Sequence, residues 1–343
     1  MSENGWQAVL VVSFGGPEGP DDVMPFLENV VRGRNIPKAR LEEVAEHYHH
    51  FGGRSPLNDQ NRELVRALEA ELRSVGLELP VYLGNRNWHP FFEETLRKMR
   101  EDGVQRALGL FTAPYGSYSS CRQYRENLAE ARAAVGEGAP EIEKLRHYFD
   151  HPGFLGAVVE RTREALDRLP EAAREKATLL FTAHSLPVDM AARSPYVGQL
   201  EESCRLVAEQ VGRPDWRLVY QSRSGPPSQP WLEPDILEVL REGREAGTLE
   251  AVVVVPLGFL SDHMEVLYDL DTEARDLARE LDLPFERAGT AGSHPLFIRG
   301  LRELIEEQVR PGSPRLALSP EAPGHRTCFP DCCPPPRRPA GRP

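Results

Sequence analysis

A histidine and a carboxylate, His184 and Glu265, each follow an apolar run of the kind that makes a buried strand. Residues 177–183 read Ala-Thr-Leu-Leu-Phe-Thr-Ala, and residues 252–257 read Val-Val-Val-Val-Pro-Leu. In a parallel α/β sheet, ligands bind in the crevice beyond the carboxyl ends of the strands. An imidazole and a carboxylate delivered there can share proton transfer, and histidine is suited to it because its reference pKa lies near neutrality. Asp262, Glu265, Asp269 and Glu273 stand at i, i+3, i+7 and i+11. On a regular helix, at roughly 100° per residue, they form about one stripe. Such a stripe of hard oxygen donors can bind or relay a divalent cation. His263 points about 100° away from Asp262 and reads as a supporting residue.

The elements that must hold these groups alternate along the chain. Strand signals at 8–13, 81–84 and 107–111 are interleaved with helical stretches at 21–31, 41–51, 59–75, 90–102 and 119–135. The helix at 59–75 follows an Asn58/Asp59 cap signal, and 144–148 reads as one more strand. The second half repeats the alternation, with strands at 178–182, 217–221, 251–256 and 285–288. Its helices are expected at 152–169, 196–211, 234–246, 264–281 and 295–309. This order predicts parallel βαβ units in two Rossmann-like lobes, each a parallel β-sheet flanked by helices. The lobes are expected at 1–150 and 151–310, without a close sequence repeat between them. From residue 311 to 343 the apolar periodicity stops; ten of these 33 residues are proline, and three are cysteine.

Composition narrows the function classes. The 343 residues are 40% hydrophobic and 27% charged, with a formal net charge of −12. That acidity argues against nonspecific binding to nucleic acid or anionic lipid. No apolar stretch approaches the ~20 residues needed to span a bilayer. The start, Met-Ser-Glu-Asn-Gly-Trp, has neither a signal-peptide pattern nor a myristoylation glycine, so a cytoplasmic protein is expected. Five cysteines in that compartment read as thiols or metal ligands rather than disulfides. Gly15-Gly16 belongs to neither a Gly-x-Gly-x-x-Gly nor a Gly-Lys-Ser/Thr motif, which makes a nucleotide site a poor reading.

Several segments, taken in order, carry a more specific message. They are Ser-Phe-Gly-Gly-Pro-Glu (13–18), Arg-Gly-Arg (32–34), Tyr-His-His-Phe-Gly-Gly-Arg-Ser-Pro-Leu (48–57) and Gly-Asn-Arg-Asn-Trp (84–88). Further on come Thr-Ala-His-Ser-Leu-Pro (182–187), Gln-Ser-Arg-Ser-Gly-Pro (221–226) and Asp-His-Met-Glu-Val-Leu-Tyr-Asp-Leu-Asp (262–271). In this order and spacing the chain resembles the ferrochelatases, lyases of heme biosynthesis that insert ferrous iron into a porphyrin. The resemblance covers most of the chain, and its wording is similar to the actinobacterial coproporphyrin III enzymes. It implies a chelatase-like fold and His184 and Glu265 facing each other across a porphyrin cleft, with Asp269 and Glu273 joining them on the path of the Fe²⁺ substrate. It also implies a propionate grip by Arg32, Arg34, Tyr48, Ser55 and Tyr124. Phe14 stands where some bacterial relatives carry a metal-binding tyrosine; it can pack on the macrocycle but cannot supply an oxygen ligand.

The resemblance extends to the cysteines. Many members carry a 2Fe–2S cluster held by one internal and three C-terminal cysteines, which here are Cys121, Cys328, Cys332 and Cys333. Four thiolates suit that cluster, although they also suit zinc. The spacing Cys-x-x-x-Cys-Cys differs from the Cys-x-x-Cys-x-x-x-x-Cys of the animal enzymes. Cys204 reads as a buried helix residue. The expected substrates are coproporphyrin III and Fe²⁺, used by a monomer in transient contact with neighbouring enzymes of the heme pathway. Protoporphyrin IX is the alternative substrate. A non-catalytic tetrapyrrole carrier and a cobalt-inserting chelatase are alternatives of other classes, and the carrier would need neither His184 nor Glu265.

Overall fold

A computed structural model describes residues 5–33, 36–225, 228–319, 329 and 331–336. It contains two four-stranded parallel sheets. The first is built from β1 (Ala8–Ser13), β2 (Val81–Asn85), β3 (Arg106–Phe111) and β4 (Glu141–Lys144), in the order β2-β1-β3-β4. The second is built from β5 (Ala177–His184), β6 (Trp216–Gln221), β7 (Ala251–Val255) and β8 (Phe285–Arg287), in the order β6-β5-β7-β8. Relative to chain order the two sheets are the same: second, first, third, fourth. Every residue of β1 and β7 is buried, as is every residue of β5 except His184 at its end. Central strands covered on both faces by crossover helices need continuous apolar runs, which explains the sequence signal.

One hydrophobic core runs through both halves. It includes Val9, Val11 and Leu110 from the first sheet, Phe181 and Val253 from the second, and Phe154 and Phe297 from helices between them. The last helix, Pro295–Val309, packs on both Pro152–Arg168 and Leu57–Ser74, and so returns the chain to the first half. At this junction Arg146 is buried. Its guanidinium lies 2.7 Å from Glu307 Oε1 and 3.6 Å from Asp150 Oδ1, and it donates to Leu316 O at 2.7 Å. Burying that cation is tolerable only because each side of it meets an acceptor. Leu318 N donates to Asp150 O, which pins the start of the tail to the same place. Among the described residues no helix is long and apolar enough to cross a membrane.

Three sequence expectations need correction. The strand near 144–148 is β4, at 141–144: its Glu-Ile-Glu-Lys edge alternates too weakly to announce itself. The helix expected from 59 begins at Leu57, and Asn58 is a buried helical residue that donates to Gly16 O and Glu18 Oε1 rather than a cap. The helix over 264–281 is α-helical only at Met264–Val266 and Arg275–Glu280; Leu267–Ala274 between them is a π-helix. Asp262 precedes this helix altogether and pairs with Arg287 at 2.9 Å. The four-carboxylate stripe is therefore a three-carboxylate stripe of Glu265, Asp269 and Glu273.

Candidate active site

His184 ends β5, where the sheet opens onto its crevice. The strand reaches that point in close contact with the loop after β7: a Cβ on Gly258 would sit 2.7 Å from Ala183 Cα, so no larger residue fits. His184 Nδ1 lies 2.5 Å from Ser185 O. A carbonyl oxygen only accepts, so Nδ1 carries a proton and Nε2 is the end of the ring that exchanges one. Nε2 faces Glu265 Oε1 at 3.6 Å. Glu265 is placed by the short helix at 264–266, whose start is capped by His263: Glu265 N donates to His263 Nδ1 at 3.2 Å.

The pair sits in a cleft, crowded by protein on most sides while solvent still reaches 30% of the imidazole and 47% of the carboxylate. Burial disfavours the charged ring, but Glu265 beside it more than reverses this and raises His184 to about 9. The same attraction overcomes burial in the opposite sense for Glu265, which is lowered to about 2. At neutral pH the two form an ion pair. His263, half-buried and close to the His184 cation, is held below the usual histidine range despite Glu265.

Asp269 lies one turn further along the π-helix. Burial, reinforced by the charges of Glu265 and Glu273, raises it to about 7, although two hydrogen bonds oppose the shift. Gln221 Nε2, at the end of β6, donates to Asp269 Oδ2 at 3.2 Å and to Glu265 O at 3.0 Å. Ser222 Oγ donates to the same carboxylate from a residue with φ of 62°. Glu273 is exposed at the outer end, raised by burial of its inner part and by Asp235. The arrangement offers three carboxylates, Glu273, Asp269 and Glu265, in succession along the helix, the last paired with an imidazole. Wider π-helical turns occur often at functional sites, and here the wider turn brings residues four apart onto one side.

The first lobe supplies an aromatic wall. Phe26 is its centre, with Phe14, Tyr48 and Trp88 meeting it edge-on at 6.1, 5.8 and 6.3 Å. Burial raises the Tyr48 phenol strongly and the Tyr124 phenol to about 12, and the Glu265 charge adds to both. The charge of Glu265 therefore reaches two tyrosines of the first half of the chain. Arg86 stands over the Tyr124 ring at 5.7 Å. The lobes also touch directly. Asp262 N and O both bond the Gln60 amide, and His47 stacks on Tyr268 with ring centres 3.7 Å apart.

Other expected site residues are less intimately placed. Ser55 is buried behind Gly16, where its Oγ accepts from Leu57 N at 3.4 Å. Arg32 is exposed and bonded to Asn29 Oδ1, while Arg34 lies outside the described residues. Cys121 is fully buried in a short π-helix, Tyr118–Arg122. Cys332 and Cys333 come back to this region, Cys332 O within 3.5 Å of Arg122 Nη1; Cys328 lies outside the described residues. Cys121, Cys204, Cys332 and Cys333 form no disulfide. Among the described residues no three His, Cys, Asp or Glu side chains converge enough to hold a metal ion. Sequence reasoning gave no role to Gln221, Ser222, Gln60 or Arg86, although two of its motifs, at 221–226 and 84–88, contain three of them.

Twin parallel sheets meeting at a cleft with an imidazole–carboxylate pair define a chelatase-like protein. The structure of SirB from Bacillus subtilis with Fe³⁺ shares the fold, with a TM-score of 0.55 over 89% of this chain and 96% of that one at 14% identity. The family is more specific: the ferrochelatase model matches residues 6–309, and the chain belongs to the ferrochelatases, enzymes that insert a metal into a porphyrin. It is 53% identical to the ferrochelatase of Rhodopirellula baltica over 98% of this chain and 97% of that one. It is 52% identical to the coproporphyrin III ferrochelatase of Nocardia farcinica, with 97% and 98% covered.

Proposed function

We propose that the protein inserts Fe²⁺ into coproporphyrin III, releasing two protons and giving coproheme. The observation that carries the reading is the His184–Glu265 pair at 3.6 Å, at the carboxyl end of β5. The coproporphyrin III ferrochelatase of Nocardia farcinica, alike over nearly its whole length, supports the choice of substrate. The catalytic residues in this reading are His184, as proton acceptor, and Glu265. As the pair stands His184 is already protonated at neutral pH, so it must first pass that proton to solvent or to the carboxylates. Asp269, raised to about 7, exchanges protons readily at that pH and is suited to receive it. Asp269 and Glu273 lead Fe²⁺ inward as hard oxygen donors.

The substrate-facing lobe ends near residue 150 and the catalytic lobe runs from 151 to 310, with the tail beyond. Phe14 packs against the macrocycle. Arg32, Arg34, Tyr48, Ser55 and Tyr124 form the propionate grip, in which cations and hydroxyls meet carboxylates. Cys121, Cys328, Cys332 and Cys333 hold a 2Fe–2S cluster. Four thiolates suit that cluster, and the tail returns to Arg122, the neighbour of Cys121, although Cys121, Cys332 and Cys333 do not converge on one point. An anaerobic assay with Fe²⁺ and either coproporphyrin III or protoporphyrin IX tests the substrate, with coproporphyrin expected to be turned over faster. Equal or inverted turnover would overturn that assignment.

A further inference from the structure

Arg287 ends β8 at the edge of the second sheet, with its side chain only 12% exposed. All three nitrogens of its guanidinium are engaged. Nε and Nη2 donate to Asp271 Oδ1 and Oδ2, each at 2.8 Å, in a fork. Nη1 donates to Asp262 Oδ1 at 2.9 Å and to Ala288 O at 3.1 Å. Glu265 lies three residues after Asp262, and Asp269 two residues before Asp271. One cation of the sheet thus grips both ends of the segment that carries these two carboxylates. The backbone of Asp262 is held from the other half of the chain as well, by the Gln60 amide. Arg275 also reaches Asp271, at 3.3 Å, but from a more exposed position and with a single nitrogen.

Resting on the roles proposed above for His184, Glu265 and Asp269, we infer that Arg287 is a positioning residue for metal insertion: it holds the 262–271 segment against β8 and so fixes Glu265 and Asp269 relative to His184. Val266, Leu270 and Ala274 are buried and decide which face of this helix points inward. Such burial is non-directional and sets the position along the helix axis only loosely. A bidentate guanidinium–carboxylate pair has a defined geometry, and it supplies the missing coordinate. β8 is itself locked in place. Arg287 pairs with Val254 of β7, and β7 neighbours the strand that ends in His184. The route from the imidazole to the two carboxylates therefore runs through β5, β7, β8 and one side chain. A displacement of about 1 Å near a reacting centre can cost about a hundredfold in rate. Lysine would keep the charge but not the fork, so it could not hold both carboxylates in this geometry.

The test measures anaerobic insertion of Fe²⁺ into coproporphyrin III by the full chain, with porphyrin affinity read separately by fluorescence quenching. Glu265→Gln is assayed first: near-normal turnover there would remove the site reading itself, and this inference with it. With Glu265→Gln inactive, Arg287→Lys is expected to bind porphyrin within about twofold of the natural chain, while kcat falls about tenfold or more and the half-saturating Fe²⁺ concentration rises. Arg275→Ala, which removes the more exposed partner of the same carboxylate, should leave both kinetic parameters unchanged. An Arg287→Lys protein with natural kcat per porphyrin-binding site and natural iron dependence would overturn the inference, even if less of it folds. A loss confined to porphyrin affinity, or an equal loss in Arg275→Ala, would overturn it too. If Arg287→Lys does not fold, Asp271→Asn takes its place, since it keeps the arginine and weakens the fork. The same split is then expected, and unchanged kcat and iron dependence refute the role.

Discussion

Replacing Glu265 with glutamine keeps the size of the side chain and removes the charge that holds the His184 proton. Burial, the largest single influence on the imidazole, then lowers its pKa against only the Ser185 carbonyl and the charge of Asp269. The ring should therefore titrate at or below the ordinary value of about 6.5 instead of at about 9. That is a loss of roughly two orders of magnitude in proton affinity, reduced somewhat because water reaches part of both side chains and screens the pair. The sign of the linked stability follows. Below the unfolded histidine value near 6.5 the raised pKa of His184 contributes fully, and the contribution fades as pH rises through 9. On the acid side the depressed Glu265 contributes above about 4.5, and its share is lost as pH falls towards 2. The difference in Tm between the natural chain and Glu265→Gln should be widest between about pH 4.5 and 6.5 and should shrink towards pH 9. The direct assay is an NMR titration of the His184 ring in substrate-free protein, which does not depend on turnover. A His184 that titrates at the same pH in both proteins would refute the electrostatic argument.

Four further outcomes are expected. His184→Ala should abolish chelation while leaving porphyrin affinity within about tenfold, because the base acts on a ring already bound; turnover and fluorescence quenching separate the two. Asp269→Asn and Glu273→Gln should raise the Fe²⁺ concentration for half-maximal rate with little effect at saturation, and an unchanged iron dependence would return these carboxylates to a solvated face. Arg32→Ala should weaken coproporphyrin by about tenfold and protoporphyrin less; equal losses would show that the residue does not read carboxylate number. Cys121→Ser should lose the red-brown colour and the acid-labile sulfide together, whereas one bound zinc in colourless natural protein would replace the cluster with a structural metal.

The parts of the fold carried by strong local signals were legible. β5 and β7 carry continuous apolar runs, Leu179–Phe181 and Val252–Val255, and from these runs the chain alone suggested that His184 and Glu265 lie beyond the strand ends. What escaped depends on geometry that side-chain chemistry barely encodes. An eight-residue π-helix has nearly the apolar pattern of an α-helix, so Leu267–Ala274 and the exclusion of Asp262 from the stripe were invisible. β4 lies at a sheet edge with alternating glutamates, and edge strands lose the continuous apolar run of central ones. Gln221 and Ser222 matter through a carboxylate 48 and 47 residues away in the chain, and no local pattern reports such a partner.

The shared strand order of the two sheets has a consequence for how such a site can change. In the first sheet Ser13 pairs with Asn85 at the strand ends, and in the second His184 pairs with Gln221. The two pairs occupy corresponding places: an amide closes each second strand, while the first strand closes in a hydroxyl on one side and an imidazole on the other. Asn61 donates to the Ser13 hydroxyl in a buried pocket, so that position is occupied in holding its own lobe together. The architecture thus offers two strand ends of the same form, and only the second carries an imidazole at its first strand, within reach of Glu265. On the proposed function, such an arrangement lets the first half vary its grip on the substrate without disturbing the half that handles protons.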